Sequence, residues 1–521
     1  MTQSDTPPRR ARVYHPLLFA AFPVLFLFAQ NLKEGVTGGD LALPLLVSVG
    51  AAALLWVAGT PLLRSAAKAG LVVSAWTLLF FSYGHIWLVA KGADVFGFVV
   101  GRHAVMLAVW GILGLGILVV AIRAGGWLPT TTRVLNAVAV ILVALNLGTI
   151  VIDAFTAARK SAAALPAEAA PAPAPAGARD VVYIILDRYA GRQTLERYYG
   201  YDNTPFLDAL RDRGFFVPES AWGNYPRSTH SMASSLNMRH LHFLRGQPGS
   251  DPRPLAELYD APAAARFLKA RGYRYVNIGT WWSVTREDPY ADENIELDAP
   301  SRFSSILVDT TMLKPFADRF GWLRRYSFRK TEFRRSPFQF EQIARVGRDR
   351  RPTFTFAHLL LPHEPFVFDR DGTYLRARKL NSRSRATNYV NQLQHTNSRV
   401  LDLFDQLLAV PESQRPIIIL QSDEGPEPLE TNKRITAWGK VTLPMLEQKM
   451  RILNAYYFPG AEEAGLYDGI TPVNSFRVLF NTYFGAGLPL LPDKTYVFSA
   501  GLDQYNFQDV TQKLRALDRA A

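Results

Sequence analysis

The stretch IIILQSDEGPEP, Ile417–Pro428, is an apolar run that stops abruptly at two adjacent acids, Asp423 and Glu424. The isoleucines predict a buried strand, and the glycine and prolines that follow predict a loop. In open α/β sheets, functional side chains collect beyond the carboxyl ends of the strands. The pattern therefore predicts a functional site at the edge of a sheet, with both acids at the end of one strand.

Neighbouring segments repeat this arrangement. DVVYIILD (180–187) is a short apolar run that ends on Asp187, and PTFTFAHLLLPHEPF (352–366) is a strand that runs into a loop with His363. Segments with helical spacing, such as TPFLDALRDRGFFV (204–217), lead through a glycine into further apolar runs. Helices that alternate with apolar strands indicate an α/β domain with a mostly parallel sheet and helices on both faces. We assign this domain to residues 180–521.

The N-terminal part is different, because its apolar runs are each close to the ~20 residues that cross a bilayer. We expect residues 1–158 to form a transmembrane domain of about five helices. The stretch SAAALPAEAAPAPAPAGA, Ser161–Ala178, alternates alanine with proline, which favours an extended spacer, and residues 159–179 are therefore assigned as a linker. The five runs are approximately His15–Asn31, Leu41–Leu63, Gly70–Ala90, Ala104–Ile122 and Val134–Phe155.

Positive charges predict the orientation of these helices. They occur before the first run and in the loops after the second and fourth runs, and such loops are normally cytoplasmic. Five spans would then place residues 180–521 on the extracytoplasmic side of the cytoplasmic membrane. The charges concerned are Arg9, Arg10, Arg12, Arg64, Lys68, Arg123 and Arg133.

Composition excludes several classes of site. The chain has no cysteine, which excludes disulfides, thiolate metal ligands and cysteine nucleophiles. The net charge of +13 is compatible with anionic partners. However, no basic block interleaved with aromatic residues and no nucleic-acid-binding motif is found, so a nucleic acid is not expected as a partner.

The residues at the strand ends favour a metal centre. Carboxylates with an imidazole and no sulfur suit a hard divalent ion, with Mn²⁺ or Mg²⁺ expected first and Ca²⁺ as the alternative. A hydroxyl nucleophile is available in NYPRSTHSMASSLN (224–237), where Ser228 and Thr229 precede small residues that can open a helix. Metal coordination can activate such a hydroxyl, and a helix N-terminus favours an anionic group beside it. From the residues alone, either hydroxyl can serve.

Together these segments resemble the alkaline phosphatase and sulfatase superfamily. They are most similar to its membrane branch, to which lipoteichoic acid synthases and phosphoethanolamine transferases belong. The resemblance covers roughly residues 180–480 and also fits the layout of apolar spans, linker and outer domain. It is carried by VVYIILDRYA, YPRSTHSMASSLN, LLLPHEPF and QSDEGP, and it implies metal ligands at Asp187, Ser228, Asp423 and Glu424, a nucleophile at Ser228 with Thr229 as its competitor, and a catalytic role for His363.

Two departures from the family pattern affect the metal site. Glu424 stands where the motif has histidine, and no histidine follows His395. A two-zinc site is therefore not expected, whereas a single ion held mainly by oxygen ligands is chemically reasonable. The alternative that the departures leave open is a degenerate site in a non-catalytic envelope assembly protein.

The resemblance implies a membrane-anchored transferase that moves a phospho-substituent of the phosphoglycerol or phosphoethanolamine type. The donor would be a membrane lipid, the acceptor an envelope glycan or lipid, and the route a Ser/Thr covalent intermediate. Hydrolysis of a sulfate or phosphate ester is the alternative. Cationic and aromatic side chains near the motifs are candidates for binding the substrate, namely Arg188, Arg227, Trp282 and Arg286.

Overall fold

The computed structural model describes residues 12–32, 36–95, 98–161, 177–249, 251–317, 319–346, 351–431, 435–461, 465–500 and 503–520. The chain divides into two compact units. The first comprises residues 1–164 and 299–328, and the second comprises residues 165–298 and 329–521. The predicted linker, residues 159–179, falls mostly on residues 162–176, which lie outside the described residues, as do Arg9 and Arg10.

The first unit begins with five apolar helices and one small hairpin. They are α1 (His15–Gln30), α2 (Gly38–Leu62), α3 (Ala66–Ala90), β1 (Asp94–Val95), β2 (Phe98–Val99), α4 (His103–Arg123) and α5 (Leu128–Ser161). In α2, α3, α4 and residues 128–155 of α5, the helix is long and apolar enough to cross a membrane. The prediction of a multi-span helical membrane domain is therefore confirmed.

Helix α1 is shorter than expected for a full span. Its 16 residues extend about 24 Å at ~1.5 Å per residue, against a hydrocarbon core of ~30 Å. The side chains of Phe19, Val24 and Phe28 are nevertheless buried, because α1 packs against α2, α3 and α5. Four helices of spanning length and one shorter helix thus replace the five expected spans.

One end of this helix bundle collects basic residues that predicted its orientation. The Asn136 side chain of α5 donates a hydrogen bond of 2.7 Å to the carbonyl of Arg12, and Lys68 of α3 donates one of 2.7 Å to the carbonyl of Ile122 in α4. These contacts bring the start of α1 together with the α2–α3 and α4–α5 turns. Arg64 and Arg123 lie in or beside those turns.

The second unit is the α/β domain. Its elements are β3 (Val181–Leu186), α6 (Arg192–Tyr199), α7 (Thr204–Asp212), α8 (Ser228–Leu236), α9 (Arg253–Ala256), α10 (Ala263–Lys269), β4 (Arg274–Ile278), β5 (Glu293–Ile295), α13 (Phe328–Arg345), β6 (Thr353–Leu359), α14 (Ala377–Asn381), α15 (Arg385–Leu408), β7 (Ile417–Gln421), α16 (Leu443–Met450), β8 (Asn454–Tyr457), α17 (Pro472–Phe484), β9 (Tyr496–Ala500), β10 (Asp503–Asp509) and α18 (Thr511–Ala520). Between β5 and α13 in sequence, α11 (Arg302–Thr310) and α12 (Gly321–Arg324) belong to the first unit.

The central sheet has the strand order β5-β4-β6-β3-β7-β8, in which β8 is antiparallel to β7 and the other strands are parallel. Strand β3 is central and every residue in it is buried, as expected for a parallel strand covered on both faces. One face packs under α8 and α17, and the other under α7, α13 and α15. The predicted α/β fold is therefore confirmed, including the placement of helices on both faces.

Residues 299–328 pack with the apolar helices, although composition alone assigned them to the α/β domain. Phe303 and Leu307 of α11 are buried against Val24 and Phe28 near the C-terminal end of α1. The Met312 N–H donates a hydrogen bond of 3.0 Å to the carbonyl of Phe80 in α3. This segment thus covers the end of the bundle opposite the basic turns.

Candidate active site

Three neighbouring strands bring a carboxylate, an imidazole and a second carboxylate together. Asp187 follows β3, His358 is the penultimate residue of β6, and Asp423 lies two residues beyond β7. Side chains alternate along a strand, so all three side chains project on the sheet face that Tyr183 and Ile185 share. One ligand atom from each residue lies within 4.8 Å of the others, and all three residues are buried.

The chemistry of this group fits a cation. The atoms Asp187 Oδ1, His358 Nε2 and Asp423 Oδ2 are buried and have no hydrogen-bond partner within the described part of the chain. Buried polar atoms normally have partners, because leaving them unpaired is costly. A divalent metal ion held by Asp187, His358 and Asp423 would satisfy these three atoms together.

The two carboxylates also influence each other's protonation. Burial, followed by repulsion from Asp187 and Glu424, raises the pKa of Asp423 well above its usual value. Burial raises the pKa of Asp187, but interactions with His363, His358 and Arg188 outweigh burial and lower this pKa. Two adjacent buried acids of this kind disfavour double ionisation unless a cation lies between them.

His358 is oriented by a pair of threonines. Its Nδ1 lies 3.0 Å from Thr285 Oγ1, and Thr285 Oγ1 is in turn 3.1 Å from Thr280 Oγ1. The Trp282 ring packs edge-on against the imidazole, with 5.7 Å between the ring centroids. These contacts leave Nε2 directed at Asp187 Oδ2, 3.5 Å away.

Sequence analysis missed His358 and selected His363 from the same segment. The available signal was the alternation in TFTFAHL, which puts Phe354, Phe356 and His358 on one face with the histidine at the carboxyl end. His363 lies in the loop beyond, where its carbonyl accepts a hydrogen bond of 2.9 Å from Gln392. Burial, followed by the nearby Arg188, lowers the pKa of His363 to about 4, so its imidazole is neutral at neutral pH.

Ser228 is the first residue of α8, and its hydroxyl lies near enough to Asp423 to lower the pKa of that carboxyl group, against the larger effect of burial. Two contacts hold α8 in this position. Ser231 Oγ donates a hydrogen bond of 2.5 Å to the Asp423 carbonyl, and the Ser235 hydroxyl lies 3.0 Å from the Tyr183 hydroxyl of β3. Thr229 Oγ1 instead contacts His230 Nδ1 at 3.1 Å. Of the two candidate nucleophiles, Ser228 is therefore the one joined to the acid cluster.

Glu424 lies in a buried ion network beside this cluster. Its Oε1 accepts hydrogen bonds from Lys449 Nζ at 2.8 Å and Arg188 Nε at 3.2 Å. Glu427 completes the network, with Oε1 lying 3.1 Å from Lys449 Nζ and 3.5 Å from an Arg188 terminal nitrogen. The Lys449 side chain is only 1% exposed, and a buried ammonium requires carboxylate partners. The network accounts for an acid at position 424, where the family motif has histidine.

Arg188 contributes to the site through its backbone as well as its guanidinium. Its φ of +63° is in the left-handed region, which is unusual for a residue other than glycine. In this conformation its N–H donates a hydrogen bond of 3.2 Å to Asp423 Oδ1. Backbone strain of this kind is concentrated at functional sites.

The structure brings some of the predicted substrate-binding residues together and separates others. Trp282 lies against His358, and the Arg188 guanidinium faces Glu424 and Glu427. The Arg227 guanidinium lies over the Phe498 ring, 4.9 Å from its centroid. Burial, followed by Glu287, raises the pKa of Glu296 to about 7, and the positive charge of Arg286 opposes this rise.

A small cavity adjoins the site, lined by Arg188, Tyr199, His363, Arg385 and Glu427. Arg385 forms an ion pair of 3.1 Å with Glu364 at its rim. The cavity thus presents cationic, anionic and aromatic groups, and its lining includes residues that closely follow Asp187 and Asp423 in sequence.

Several solved structures are similar to this chain at low sequence identity. The C-terminal periplasmic domain of EcEptC from Escherichia coli is 16% identical, covering 66% of this chain and 97% of that one, with a TM-score of 0.40. The integral membrane lipooligosaccharide phosphoethanolamine transferase A of Neisseria meningitidis is 13% identical, covering 89% of this chain and 94% of that one, with a TM-score of 0.38. A phosphonate monoester hydrolase of Agrobacterium radiobacter is 13% identical, covering 61% of this chain and 79% of that one, with a TM-score of 0.41.

No curated protein matches the chain in sequence. The sulfatase family profile, however, matches residues 179–476. This range includes Asp187, Ser228, His358, Asp423 and Glu424, and so the whole site described above. Because the match covers more than half of the 521 residues, the chain belongs to the sulfatase family and is a sulfatase-like enzyme.

Proposed function

We propose that the protein is a metal-dependent transferase that takes a phospho-substituent from a membrane lipid and attaches it to an envelope glycan or lipid. The substituent is of the phosphoglycerol or phosphoethanolamine type. The observation that carries the proposal is the location of Ser228 at the start of α8, the helix whose Ser231 Oγ donates a hydrogen bond of 2.5 Å to the Asp423 carbonyl. The proposal thus combines a candidate nucleophile beside a buried group that could bind a metal with four helices of membrane-spanning length among the described residues.

Asp187, His358 and Asp423 would hold one divalent ion. The imidazole nitrogen among the ligands favours Mn²⁺ over Mg²⁺, with Ca²⁺ less suited. When bound, such an ion lowers the pKa of a neighbouring hydroxyl and polarises a phosphoryl oxygen.

The protein's own groups would position the two reacting partners. Asp423 lies near the Ser228 hydroxyl and would orient Oγ for attack on phosphorus. An O–P bond to Ser228 forms as the bond to the lipid hydroxyl breaks, and an acceptor hydroxyl later takes the group from Ser228. The N-terminus of α8, a helix of nine residues, favours the negative charge at this position.

His363 and the arginines would act on the ends of the substrate. A neutral His363 can accept a hydrogen bond from a substrate hydroxyl, and it would protonate the leaving lipid oxygen only after it has first taken up a proton. Arg188 and Arg227 can neutralise anionic oxygens, and Trp282 can pack against the transferred headgroup. Arg286 would contribute from the outer edge of the site.

The helix bundle supports the expected orientation. The basic turns gather at one end and residues 299–328 at the other. With the basic end in the cytoplasm, residues 299–328 and the α/β domain would be extracytoplasmic. Envelope polymers and the outer leaflet are accessible only from that side.

The test uses full-length protein in proteoliposomes supplied with Mn²⁺. The donors are phosphatidylglycerol and phosphatidylethanolamine labelled in the diacylglycerol part. We expect release of labelled diacylglycerol and, by mass spectrometry, a headgroup phosphate on the peptide that contains Ser228. Ser228→Ala should abolish both signals, whereas the matched variant Thr229→Ala should retain them.

Three outcomes would count against the proposal. Full activity of Ser228→Ala would exclude Ser228 as the nucleophile. Release of a free phosphorylated headgroup at the same rate with and without an acceptor would identify an ester hydrolase instead. Absence of turnover together with absence of bound metal would support the non-catalytic alternative.

A further inference from the structure

The segment Ala299–Phe328 is built onto the apolar helices by several independent contacts. Phe303 meets Phe28 of α1 edge-on at 5.7 Å between ring centroids. Gly84 of α3 lies so close to the segment that a Cβ there would be 2.0 Å from the Asp309 carbonyl oxygen. Lys314 lies over the Trp87 ring near the end of α3, 4.9 Å from its centroid. The segment is therefore held directly at the ends of the membrane helices.

The outer surface of this segment carries large aromatic side chains. In the stretch RFGWLRR, residues 319–325, the side chains of Phe320 and Trp322 are 47% and 62% exposed, whereas Leu323 between Trp322 and Arg324 is 1% exposed. Leu323 thus anchors the stretch, and the two aromatic residues point outward. Phe320 also contacts Phe316, with 5.9 Å between ring centroids, which links this surface to the turn that bears Lys314.

Cationic residues flank the aromatic pair. Arg319, Arg324 and Arg325 are all exposed. Exposed aromatic side chains next to basic residues are typical of protein surfaces at the boundary between lipid headgroups and acyl chains. Arginines at that level are attracted to anionic lipids.

We propose that residues 319–325 form a membrane-contact surface that inserts Phe320 and Trp322 at the headgroup boundary and pairs its arginines with anionic phospholipids. The partner is the bilayer that surrounds α1–α5, because the segment is fastened to the ends of those helices. The surface would hold residues 299–328 at the membrane. This role does not depend on whether the α/β domain transfers or hydrolyses its substrate.

The absence of cysteine in the chain allows a direct test. Single cysteines replace Phe320 or Trp322 in the full-length protein, carry a nitroxide label, and are studied in nanodiscs of phosphatidylglycerol. A membrane-inserted label is accessible to oxygen and protected from a water-soluble nickel chelate. A label in water gives the reverse, and a label inside protein is protected from both.

We expect the membrane signature at Phe320→Cys and Trp322→Cys. The controls are Leu115→Cys on α4, which is 63% exposed in the middle of an apolar helix, and the buried Leu323→Cys. Replacing Arg319, Arg324 and Arg325 by glutamine should shift the Trp322→Cys label towards water in phosphatidylglycerol. In nanodiscs of phosphatidylcholine, the Trp322→Cys label should insert similarly weakly even when the three arginines are unchanged.

Three results would overturn the proposal. A water signature at both positions would show that the surface faces solvent. Protection from both reagents would indicate a protein partner or a second copy of the chain. Insertion that is equal in both lipids and unaffected by the glutamine variant would exclude recognition of anionic phospholipids.

Discussion

The two ring nitrogens of His358 face different groups. Nδ1 contacts Thr285, so Nε2 is left to face Asp187 and Asp423. Groups that hold the second nitrogen of a metal-binding histidine set its orientation and basicity. At the scale of single residues, the threonine is therefore as much a part of the candidate centre as the ligands.

The first prediction separates the two histidines of the segment. His358→Ala should remove most bound Mn²⁺ from the purified full-length protein, because it deletes a buried ligand atom, whereas His363→Ala should keep it. Thr285→Val should weaken metal affinity by about 10–100-fold, as expected for a group that orients a ligand. Elemental analysis and metal titration provide the measurement. Loss of metal in His363→Ala but not in His358→Ala would reverse the assignment.

The second prediction concerns the buried ammonium of Lys449. Lys449→Met leaves Glu424 and Glu427 without their closest cation and should cost about 3–5 kcal/mol of unfolding free energy. Adding Glu424→Gln to Lys449→Met should recover part of that loss, because one unpaired buried charge is removed.

The control for Lys449 is a pair of the same chemistry at the surface. Lys494 forms an ion pair of 2.9 Å with Asp509. Both side chains are more than a third exposed, at 35% and 41%. Lys494→Met should therefore cost only about 0–1 kcal/mol. Denaturant unfolding in detergent measures all three variants. Equal effects of Lys449→Met and Lys494→Met would show that the network adds little.

At the scale of elements, the junction between α3 and α11 depends on a close backbone approach. Gly84 has no space for a side chain, since a Cβ there would lie 2.0 Å from the Asp309 carbonyl oxygen. Gly111 on α4 has nothing within 4 Å of the same position. The two glycines therefore form a matched pair in the apolar helices.

The third prediction uses this pair. Gly84→Ala should destabilise the junction by about 1–3 kcal/mol, the usual cost of overpacking, while Gly111→Ala should be neutral. Hydrogen exchange of residues 302–312 should quicken in Gly84→Ala only. Unchanged exchange in Gly84→Ala would mean that α11 does not rely on this contact.

At the scale of the whole molecule, the bundle has a basic end and an end covered by residues 299–328. Single cysteines can report which side each faces. Gly126→Cys lies in the turn between α4 and α5, and Gln406→Cys lies on an exposed face of α15 in the α/β domain. Both positions are otherwise free of competing thiols, because the chain has no cysteine.

The fourth prediction follows from the positive-inside rule. A membrane-impermeant thiol reagent added to intact cells should label Gln406→Cys and should label Gly126→Cys only after the membrane is opened. Labelling of Gly126→Cys alone in intact cells would invert the orientation and place the α/β domain in the cytoplasm.

Several features were determined by local sequence. Apolar runs of membrane length predicted the helical unit, and apolar runs ending on acids predicted the sheet with Asp187 and Asp423 at strand ends. These predictions succeed because hydrophobic periodicity and chain-breaking residues act over a few neighbouring positions. The start of a helix at Ser228 is also a local feature and was expected from the small residues that follow, whereas the role of Ser228 as nucleophile stays a prediction.

Tertiary structure alone decided the remainder. His358 became a ligand candidate only when β6 was set beside β3, where Ile185 pairs with His358 and also with Gln421 of β7. Glu424 met Lys449, and residues 299–328 returned to the apolar helices, through contacts between segments far apart in sequence. No local pattern encodes such contacts, because they depend on which surfaces remain to be buried once the helices and strands have formed.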